Sequence, residues 1–263
     1  MNKQREVARI NNGIKILFWL VFVVFFAYSF QTIIDLKYIT HPVRQESFIR
    51  ILTALSNPNF SEGENSRQVV VKMWETILIG FLATTISAVF AIPFTFFSAR
   101  PSALWGRGFK ILVQFIFSAV RAVHPLYTII LPIVLVSMGP TAGVLALTLF
   151  STAVLIGVFS EFAQQHTSLN WSNLIKVYFP GLALKHLPIN MLISTVLGFV
   201  GGGGIGFLLL QNIGLLHYRD ASVAILACIV TIGSLDLLSR AVWHKILNHK
   251  ASLTSATEIA NLD

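Results

Sequence analysis

Long apolar runs alternate with short polar stretches along this chain, and one polar stretch interrupts the pattern most clearly. Residues 161–180 (EFAQQHTSLNWSNLIKVYFP), here called the polar segment, lie between two apolar blocks. Their amides, hydroxyls and charges are too many for a segment that crosses a bilayer. We therefore expect the polar segment to lie in water, at a headgroup boundary or against another protein.

The apolar runs predict an all-α, polytopic membrane bundle of about six transmembrane helices. The runs lie at 16–34, 74–99, 123–136, 141–159, 181–200 and 221–239. Residues 109–122 are apolar but interrupted by polar side chains, which indicates an interfacial helix. Small side chains in the second run recur on one helical face, where another helix can approach closely: Gly80, Ala83, Thr84, Ser87, Ala88 and Ala91.

The first run has two interpretations, because basic residues precede it as they precede the apolar core of a signal peptide. The apolar stretch continues to Ile34, which is long enough to span about 30 Å and favours a retained helix. A polar connector follows, with a short amphipathic helix expected at 46–55 and turns at 57–66. We divide the chain into an N-terminal part (1–73), a core (74–247) and a polar tail (248–263).

Composition supports a membrane protein, since 11% of the 263 residues are charged and the mean hydropathy is +0.74. Soluble domains carry about 25% charged residues. The net charge of +8 is spread over loops without a basic stripe, which argues against a nucleic-acid partner. The single Cys228 excludes an intrachain disulfide and a CxxC metal site.

The distribution of Lys and Arg predicts the orientation of the six spans. With the N-terminus inside, thirteen of the 19 basic residues fall in inner segments and six in outer ones. Because inner loops carry the excess of positive charge, both termini and the polar segment are expected in the cytoplasm.

Several motifs resemble those of phosphonate-type ABC transporter permeases. The coupling loop of ABC-importer permeases has the pattern Glu-Ala-Ala, then three residues, a Gly, nine residues and Ile-x-Leu-Pro. The polar segment has the same spacing, and the positions of this pattern are occupied here by Glu161, Ala163, Thr167, Val177 and Pro180. Here Phe162 replaces the first Ala and Thr167 replaces the Gly. Two blocks are similar to blocks of the phosphonate family: GPTAGVLAL at 139–147 and STVLGFVGGGGIG at 194–206. Shorter similarities occur at residues 91–100, 121–122, 236 and 239–240.

The resemblance, which covers roughly residues 70–247, implies a type I ABC importer permease in the bacterial inner membrane. It implies a homodimer that pairs with two cytoplasmic ATPase subunits and with a periplasmic or lipid-anchored binding protein. Such a permease carries out no chemistry and binds no cofactor or metal, because ATP is bound by the partner subunit. The implied cargo is phosphonate or a related phosphorus oxyanion. The five residues of the coupling pattern would contact the ATPase.

The same reasoning gives a candidate substrate pathway. Arg121 and His124 would begin a cationic path, since ionisable residues within a membrane are usually functional; an interfacial anchor is the alternative for Arg121. The glycines Gly201, Gly202, Gly203, Gly204 and Gly206 would let backbone approach the substrate or line a cavity, and a close-packed turn is the alternative. Lys185 and His186 are interpreted as headgroup contacts, and Asp236 as a possible salt-bridge partner across the bundle.

Two other classes of function have different requirements. An intramembrane hydrolase would need a GxSG serine with a His, an aspartyl pair or HExxH, and none is present. A degenerate permease that acts as a regulator or scaffold stays open, because the coupling pattern departs at Phe162 and Thr167.

Overall fold

The described residues are almost entirely helical. The structure, a computed structural model, describes residues 2–33, 41–60, 63–99, 106–166 and 169–260, and no strand occurs in these ranges. By internal contacts the chain falls into two units, residues 1–53 and 54–263. The first unit holds α1 (Asn2–Ile33) and most of α2 (Pro42–Ser56), which contains the amphipathic helix expected at 46–55.

The second unit contains the remaining elements, which follow in chain order. They are α3 (Gly63–Ala99), α4 (Gly106–Ala122), α5 (Pro125–Thr128), α6 (Ile130–Val136), α7 (Pro140–Gln165), α8 (Trp171–Asn173), a π-helical turn (Leu174–Tyr178), α9 (Phe179–Gly198), α10 (Gly204–Gly214) and α11 (Tyr218–Ala260). The sequence predicted turns at 57–66, and this prediction is wrong for residues 63–66, because α3 begins at Gly63. Val69 and Met73 explain the longer helix, because both are buried in a cluster with apolar residues of α10.

Within the described residues, four helices are long and apolar enough to cross a membrane. They are α1 from Lys15 to Ile33, α3, α7 and α11 from Tyr218 to Leu247. The segments 111–122 and 125–136 meet at a bend of 90°, and together they pass the same test as one broken span or a re-entrant loop. The described residues therefore give four spans, or five with the bent pair, where the sequence predicted about six.

The remaining predicted span is α9, a 20-residue helix that lies at the centre of the second unit. It packs against α3, α7, α10 and α11. Twelve of its residues are buried, and they include the polar side chains of Asn190, Ser194 and Thr195. A helix enclosed by other helices need not be as apolar as one that faces lipid, which accounts for the polar side chains that α9 carries inside the bundle.

The small residues of α3 form a contact face, as the sequence predicted. Gly80, Ala83, Thr84, Ser87 and Ala91 are buried and Ala88 is half-buried, and the neighbours of α3 include α7 and α9. A Cβ on Gly80 would lie 2.6 Å from Cγ of Met191 on α9. The glycine therefore sets how closely these two helices approach.

A buried chain of hydrogen bonds joins α3, α7 and α9. The hydroxyl of Ser151 donates to Oδ1 of Asn190 over 2.7 Å, and Nδ2 of Asn190 donates to Oγ1 of Thr84 over 2.8 Å. Thr84 in turn donates to the carbonyl of Gly80 over 2.6 Å. The side chains of Ser151, Asn190 and Thr84 are thus hydrogen-bonded inside an apolar bundle, where an unpaired polar group would be costly.

Thr84→Val is expected to lower the free energy of unfolding by about 1 kcal/mol more than Thr85→Val. Both threonines donate to the carbonyl four residues earlier, but only Thr84 accepts a bond from another helix. The isosteric change at Thr84 therefore leaves the amide of Asn190 without its partner. Equilibrium unfolding of the two variants in mixed micelles measures the difference, and equal losses would show that the interhelical bond contributes nothing.

The two ends of the second unit gather the segments predicted to lie on opposite sides of the membrane. At one end, N–H of Gly139 donates to the carbonyl of Gly201, and Asn59 bonds to Arg219 and Asp220. At the other end, Phe96 and Trp171 lie 5.3 Å apart between ring centroids. Segments predicted outside thus meet one another at one end, and segments predicted inside meet at the other.

The expectation for Asp236 is wrong. Its carboxylate pairs with Arg240 on the same helix, with 2.7 Å between Oδ2 and Nη2, rather than with a residue across the bundle. The two side chains are one helical turn apart and both are partly exposed, a geometry that contributes little stability.

Candidate functional site

The polar segment is mostly helical. α7 continues to Gln165, six residues past the predicted end of its span, so that Glu161 and Ala163 lie in its last turns. From residue 171 onward the chain is helical again through α8, the π-helical turn and the start of α9. Thr167 lies outside the described residues. The described part of the polar segment therefore consists of two helical stretches, one that ends α7 and one that leads into α9.

An aromatic cluster, defined by Phe96, Phe159, Phe162, Trp171, Tyr178, Phe179 and Trp243, fixes the polar segment to the bundle. Phe159 and Phe179 stack with centroids 4.3 Å apart and planes at 4°. Trp171 meets the edge of Phe179 at 5.9 Å. Because the cluster draws residues from α3, α7, α9 and α11, a displacement of the polar segment acts on all four helices.

The replacement of Ala by Phe162 fits this cluster. The ring of Phe162 lies 5.2 Å from Tyr178 and 5.9 Å from Trp243, both measured between centroids, and it stacks on His166 at 4.3 Å. The larger side chain thus has contacts at both ends of the polar segment and on α11. The departure from the family pattern adds an anchor at this position.

The predicted coupling residues divide into two groups by exposure. Glu161, Val177 and Pro180 are exposed, and Val177 is 45% exposed. Ala163 is fully buried against the aromatic cluster. An exposed edge backed by a buried aromatic core is suited to contact with a second protein.

A cavity of about 640 Å³ lies between α4 and α7, beside the end of α3. Arg121 and Glu161, which the sequence assigned to two different roles, both line it. The other polar residues of its wall are Ser98, Gln114, Ser118, Ser160, Gln164 and Gln165. The structure therefore brings the predicted cationic residue and the predicted coupling carboxylate to one site.

Gly157 makes room for the side chain of Arg121. A Cβ at Gly157 would lie 2.8 Å from Nη1 of Arg121, so the guanidinium group rests against the helix backbone. Among the described residues, no carboxylate oxygen lies within 4.0 Å of that guanidinium. Arg121 thus presents its charge to the cavity without an ion-pair partner in the described part of the chain.

The structure separates the other predicted pathway residues from Arg121. His124 is exposed and caps α5, where its Nδ1 accepts from the N–H of Leu126 over 3.3 Å, and it does not line the cavity. The glycines 201–206 contact Gly143 and Gly139, near the opposite end of α7. Gly143 and Gly157 are fourteen residues apart, or about 21 Å along the helix axis.

The glycine run forms a tightly packed turn that ends α9 and begins α10. Gly201, Gly203 and Gly204 have φ values of 94°, 74° and 72°, which L side chains rarely adopt. Gly202 is buried, and its carbonyl lies where a Cβ on Gly143 would be. This geometry is that of the close-packed turn named as the alternative to a substrate-lining loop.

Two side chains of α3, which the sequence reasoning missed, hold this turn. Oε1 of Glu75 accepts from the N–H of Gly204 over 2.9 Å, and Oγ1 of Thr76 accepts from the N–H of Ile205 over 2.8 Å. Lys72 pairs with the other oxygen of Glu75 at 2.7 Å. A carboxylate at a helix N-terminus satisfies free N–H groups and complements the helix dipole. The only signal in the sequence was the Lys–Glu spacing of three residues at the start of a span.

No group of three or more His, Cys, Asp or Glu side chains in the described ranges is arranged to hold a metal ion. Lys185 is exposed, as expected for a headgroup contact, whereas His186 is only partly exposed and its Nε2 is buried without a hydrogen-bond partner in the described structure.

Comparison with known proteins gives relatives among transport permeases, although no family model matches the chain. The chain is 28% identical over 196 residues to the phosphate-import permease protein PhnE of Mycolicibacterium smegmatis. The aligned region covers 68% of this chain and 37% of that protein. It is 27% identical over 201 residues to the phosphite transport system permease protein PtxC of Stutzerimonas stutzeri, covering 69% and 71%. The chain thus spans little more than a third of the length of the first of these relatives.

Among solved structures, an inward-facing form of the MetNI methionine ABC transporter matches with a TM-score of 0.53 at 17% identity. The match covers 68% of this chain and 96% of that chain. The all-α membrane-bundle prediction is confirmed by this shared fold. The predicted resemblance to phosphonate-type permeases is confirmed by the names of the relatives.

Proposed function

We propose that this chain is the membrane-spanning permease subunit of an ATP-driven ABC importer whose cargo is phosphonate or a related phosphorus oxyanion. The observation that carries the proposal is the polar segment, whose exposed edge at Glu161, Val177 and Pro180 is backed by an aromatic cluster drawn from four helices. The fold shared with a chain of the MetNI transporter supports it.

The polar segment acts as a lever between a motor and the bundle. Closure of two ATPase subunits on bound ATP moves the exposed edge, and the aromatic cluster passes the displacement to α3, α7, α9 and α11. Packed interfaces favour discrete arrangements, so a small shift at this edge is converted into a change between inward- and outward-open states. The chain itself carries out no chemical step, and ATP is bound by the partner subunit.

The cargo is proposed as a class rather than as a single compound. One relative is named for phosphate import and another for phosphite transport, and both ions are phosphorus oxyanions. Phosphonate belongs to the same class, and the sequence blocks at 139–147 and 194–206 resemble the phosphonate family. An unpaired guanidinium in a polar cavity is compatible with this charge and shape.

The proposed assembly is a homodimer with two ATPase subunits and a periplasmic or lipid-anchored binding protein, in the bacterial inner membrane. Both termini and the polar segment would face the cytoplasm, in line with thirteen basic residues in inner segments against six in outer ones. The meeting of Phe96, Trp171 and Trp243 at one end of the bundle supports that arrangement.

Glu161→Ala is expected to reduce ATP-driven uptake of phosphonate at least tenfold, because the variant removes the charge at the edge that meets the ATPase. Uptake and stimulation of the ATPase are measured in proteoliposomes that contain the permease with its ATPase and binding protein. Glu64→Ala is the matched control, since each carboxylate accepts from a Gln four residues later. Glu64 lies at the far end of the bundle, and its loss leaves uptake unchanged.

Two results would contradict the proposal. If wild type neither transports phosphonate, phosphite or phosphate nor stimulates its ATPase, the importer function fails and a scaffold role takes its place. If Glu161→Ala and Glu64→Ala transport equally well, the polar segment is not the coupling element.

A further inference from the structure

We propose that an apolar groove between α3 and α9 binds one acyl chain of an anionic phospholipid, whose headgroup lies at Lys176. The groove is a cavity of about 330 Å³, and its walls come mainly from residues 81–92 of α3 and 179–187 of α9. The site requires only that the chain lies in a membrane, so it does not rest on the importer function.

The groove has a closed floor and an open side. Phe159 and Phe179 form the floor, and they are 0% and 1% exposed. Phe81 and Val89 line the open side, where they are 54% and 62% exposed. The groove is therefore closed by the aromatic cluster on one side and open on the other to whatever surrounds the bundle.

The walls of the groove offer nothing to water. Of the described residues that line it, Thr84 and Thr85 carry the only hydroxyl groups, and each donates to the carbonyl four residues earlier. Neither hydroxyl has a donor left for a water molecule, and apolar cavities without such partners stay dry. An empty groove would lose dispersion contacts along its whole length. At membrane depth, the apolar material that can fill it is lipid hydrocarbon.

The length of the groove matches one leaflet of a bilayer. Phe81 and Ile92, which lie near its two ends, are eleven residues apart, or about 16 Å along the axis of α3. The hydrocarbon core is about 30 Å thick, so the groove covers about half of it. On α9 the lining residues end at Leu187, in the half of the helix that follows the polar segment. The groove thus fits an acyl chain of the leaflet on that side.

A cationic side chain lies beside the end of the groove that is nearest the polar segment. Ile175 and Pro180 line this end, and the exposed Lys176 follows Ile175 and precedes Pro180 by about one helical turn. In the described part of the chain, no carboxylate oxygen lies within 4.0 Å of the Lys176 ammonium. Basic side chains at a membrane surface attract anionic headgroups. This charge selects an anionic phospholipid over a zwitterionic one.

The position of the groove connects the lipid to the polar segment. Its floor is the stacked pair of Phe159 and Phe179, and Pro180 belongs both to the groove and to the exposed edge. An acyl chain in the groove therefore supports the aromatic cluster from the membrane side. Lys176 itself is not among the residues that are proposed to contact the ATPase.

Binding is tested on the full-length, delipidated chain in detergent, without ATP. Native mass spectrometry compares retention of phosphatidylglycerol and phosphatidylethanolamine that carry the same acyl chains. We expect phosphatidylglycerol to be retained more strongly and to raise the melting temperature, because a ligand that binds the folded state stabilises it.

Lys176→Gln is expected to lower the preference for phosphatidylglycerol by about fivefold, since it removes one basic group near the headgroup. Lys245→Gln is the matched control. Lys245 is also an exposed lysine, it lies on α11 two residues from Trp243 of the aromatic cluster, and it does not line the groove. Its loss leaves the preference unchanged.

Ala88→Leu is expected to lower retention of both lipids by about tenfold or more, because its added methyl groups occupy the groove in place of the acyl chain. Val89→Trp, which obstructs the open side, has the same effect and serves if Ala88→Leu does not fold. Ala241→Leu is the control for added volume, because Ala241 is exposed on α11 and does not line the groove.

Three outcomes would overturn the proposal. Wild type retains neither lipid, or it retains phosphatidylglycerol no better than Lys176→Gln does. Alternatively, the two groove variants reduce the fraction of dimers and leave bound lipid unchanged, in which case a second copy of the chain occupies the groove. Each of these outcomes is read without uptake, so the importer function stands or falls by its own experiment.

Discussion

Gly206→Ala lowers the free energy of unfolding by about 3 kcal/mol or more, at the upper end of the cost of overpacking a core. Gly206 lies in the first turn of α10, and a Cβ there would overlap the carbonyl oxygen of Thr195 on α9. Gly198 faces it so closely that its own Cβ would lie 2.7 Å from Cα of Gly206. Since the obstruction is backbone on both sides, no side-chain rotation relieves it.

Thermal unfolding in detergent, followed by intrinsic fluorescence and size-exclusion chromatography, measures the effect. The control is Gly233→Ala, because Gly233 is exposed in the interior of α11 and a Cβ there would meet no atom within 4 Å. Ala is favoured over Gly in a helix by up to about 1 kcal/mol, so the control melts at the same or a higher temperature. Equal melting of the two variants would mean that α9 and α10 are not packed as the structure describes.

Phe179→Ala is expected to loosen the polar segment and to make the backbone at Lys176, whose side chain is already exposed, more susceptible to trypsin. Phe179 is 1% exposed, stacks on Phe159 and meets the edge of Trp171. Removing such a side chain from a packed core costs about 3–5 kcal/mol. Because the loss falls at the junction of the polar segment with α9, local opening there becomes far more frequent. Cleavage after Lys176, identified by mass spectrometry of the fragments, increases at least tenfold relative to wild type.

Phe90→Ala is the matched control, because Phe90 is 56% exposed on α3 and its loss opens no cavity. Phe179→Leu keeps most of the volume and gives intermediate cleavage. If Phe179→Ala and Phe90→Ala are cleaved at Lys176 at the same rate, the aromatic cluster does not hold the polar segment, and the lever mechanism loses its mechanical basis.

The residues of the candidate site were largely accessible to sequence reasoning, but their grouping was not. Arg121 was identified because it interrupts an apolar run, and Glu161 because it begins a motif with fixed spacing. That both line one cavity depends on the packing of α4 against α7 and on the absence of a side chain at Gly157. Neither condition can be recognised from residues forty positions apart in one sequence.

The residues that the sequence reasoning missed share a physical cause. Glu75, Thr76 and Asn190 are polar groups in apolar runs, and each has a partner on another helix. A polar residue within a span carries the same local signal whether it binds substrate, caps a helix or closes an interhelical bond. Only the partner, which is distant in sequence, distinguishes these roles.

By itself the sequence determined the class of the protein, the positions of most membrane helices and the polar segment between two of them. These features follow from local hydrophobicity, because the cost of placing polar groups in lipid is felt by each segment independently. The tertiary structure alone decided that the glycine run is a packed turn held by Glu75, that α9 lies at the centre of the second unit, and that Arg121 and Glu161 line one cavity. Those features arise from contacts between helices, whose energy depends on side chains that chain order does not bring together.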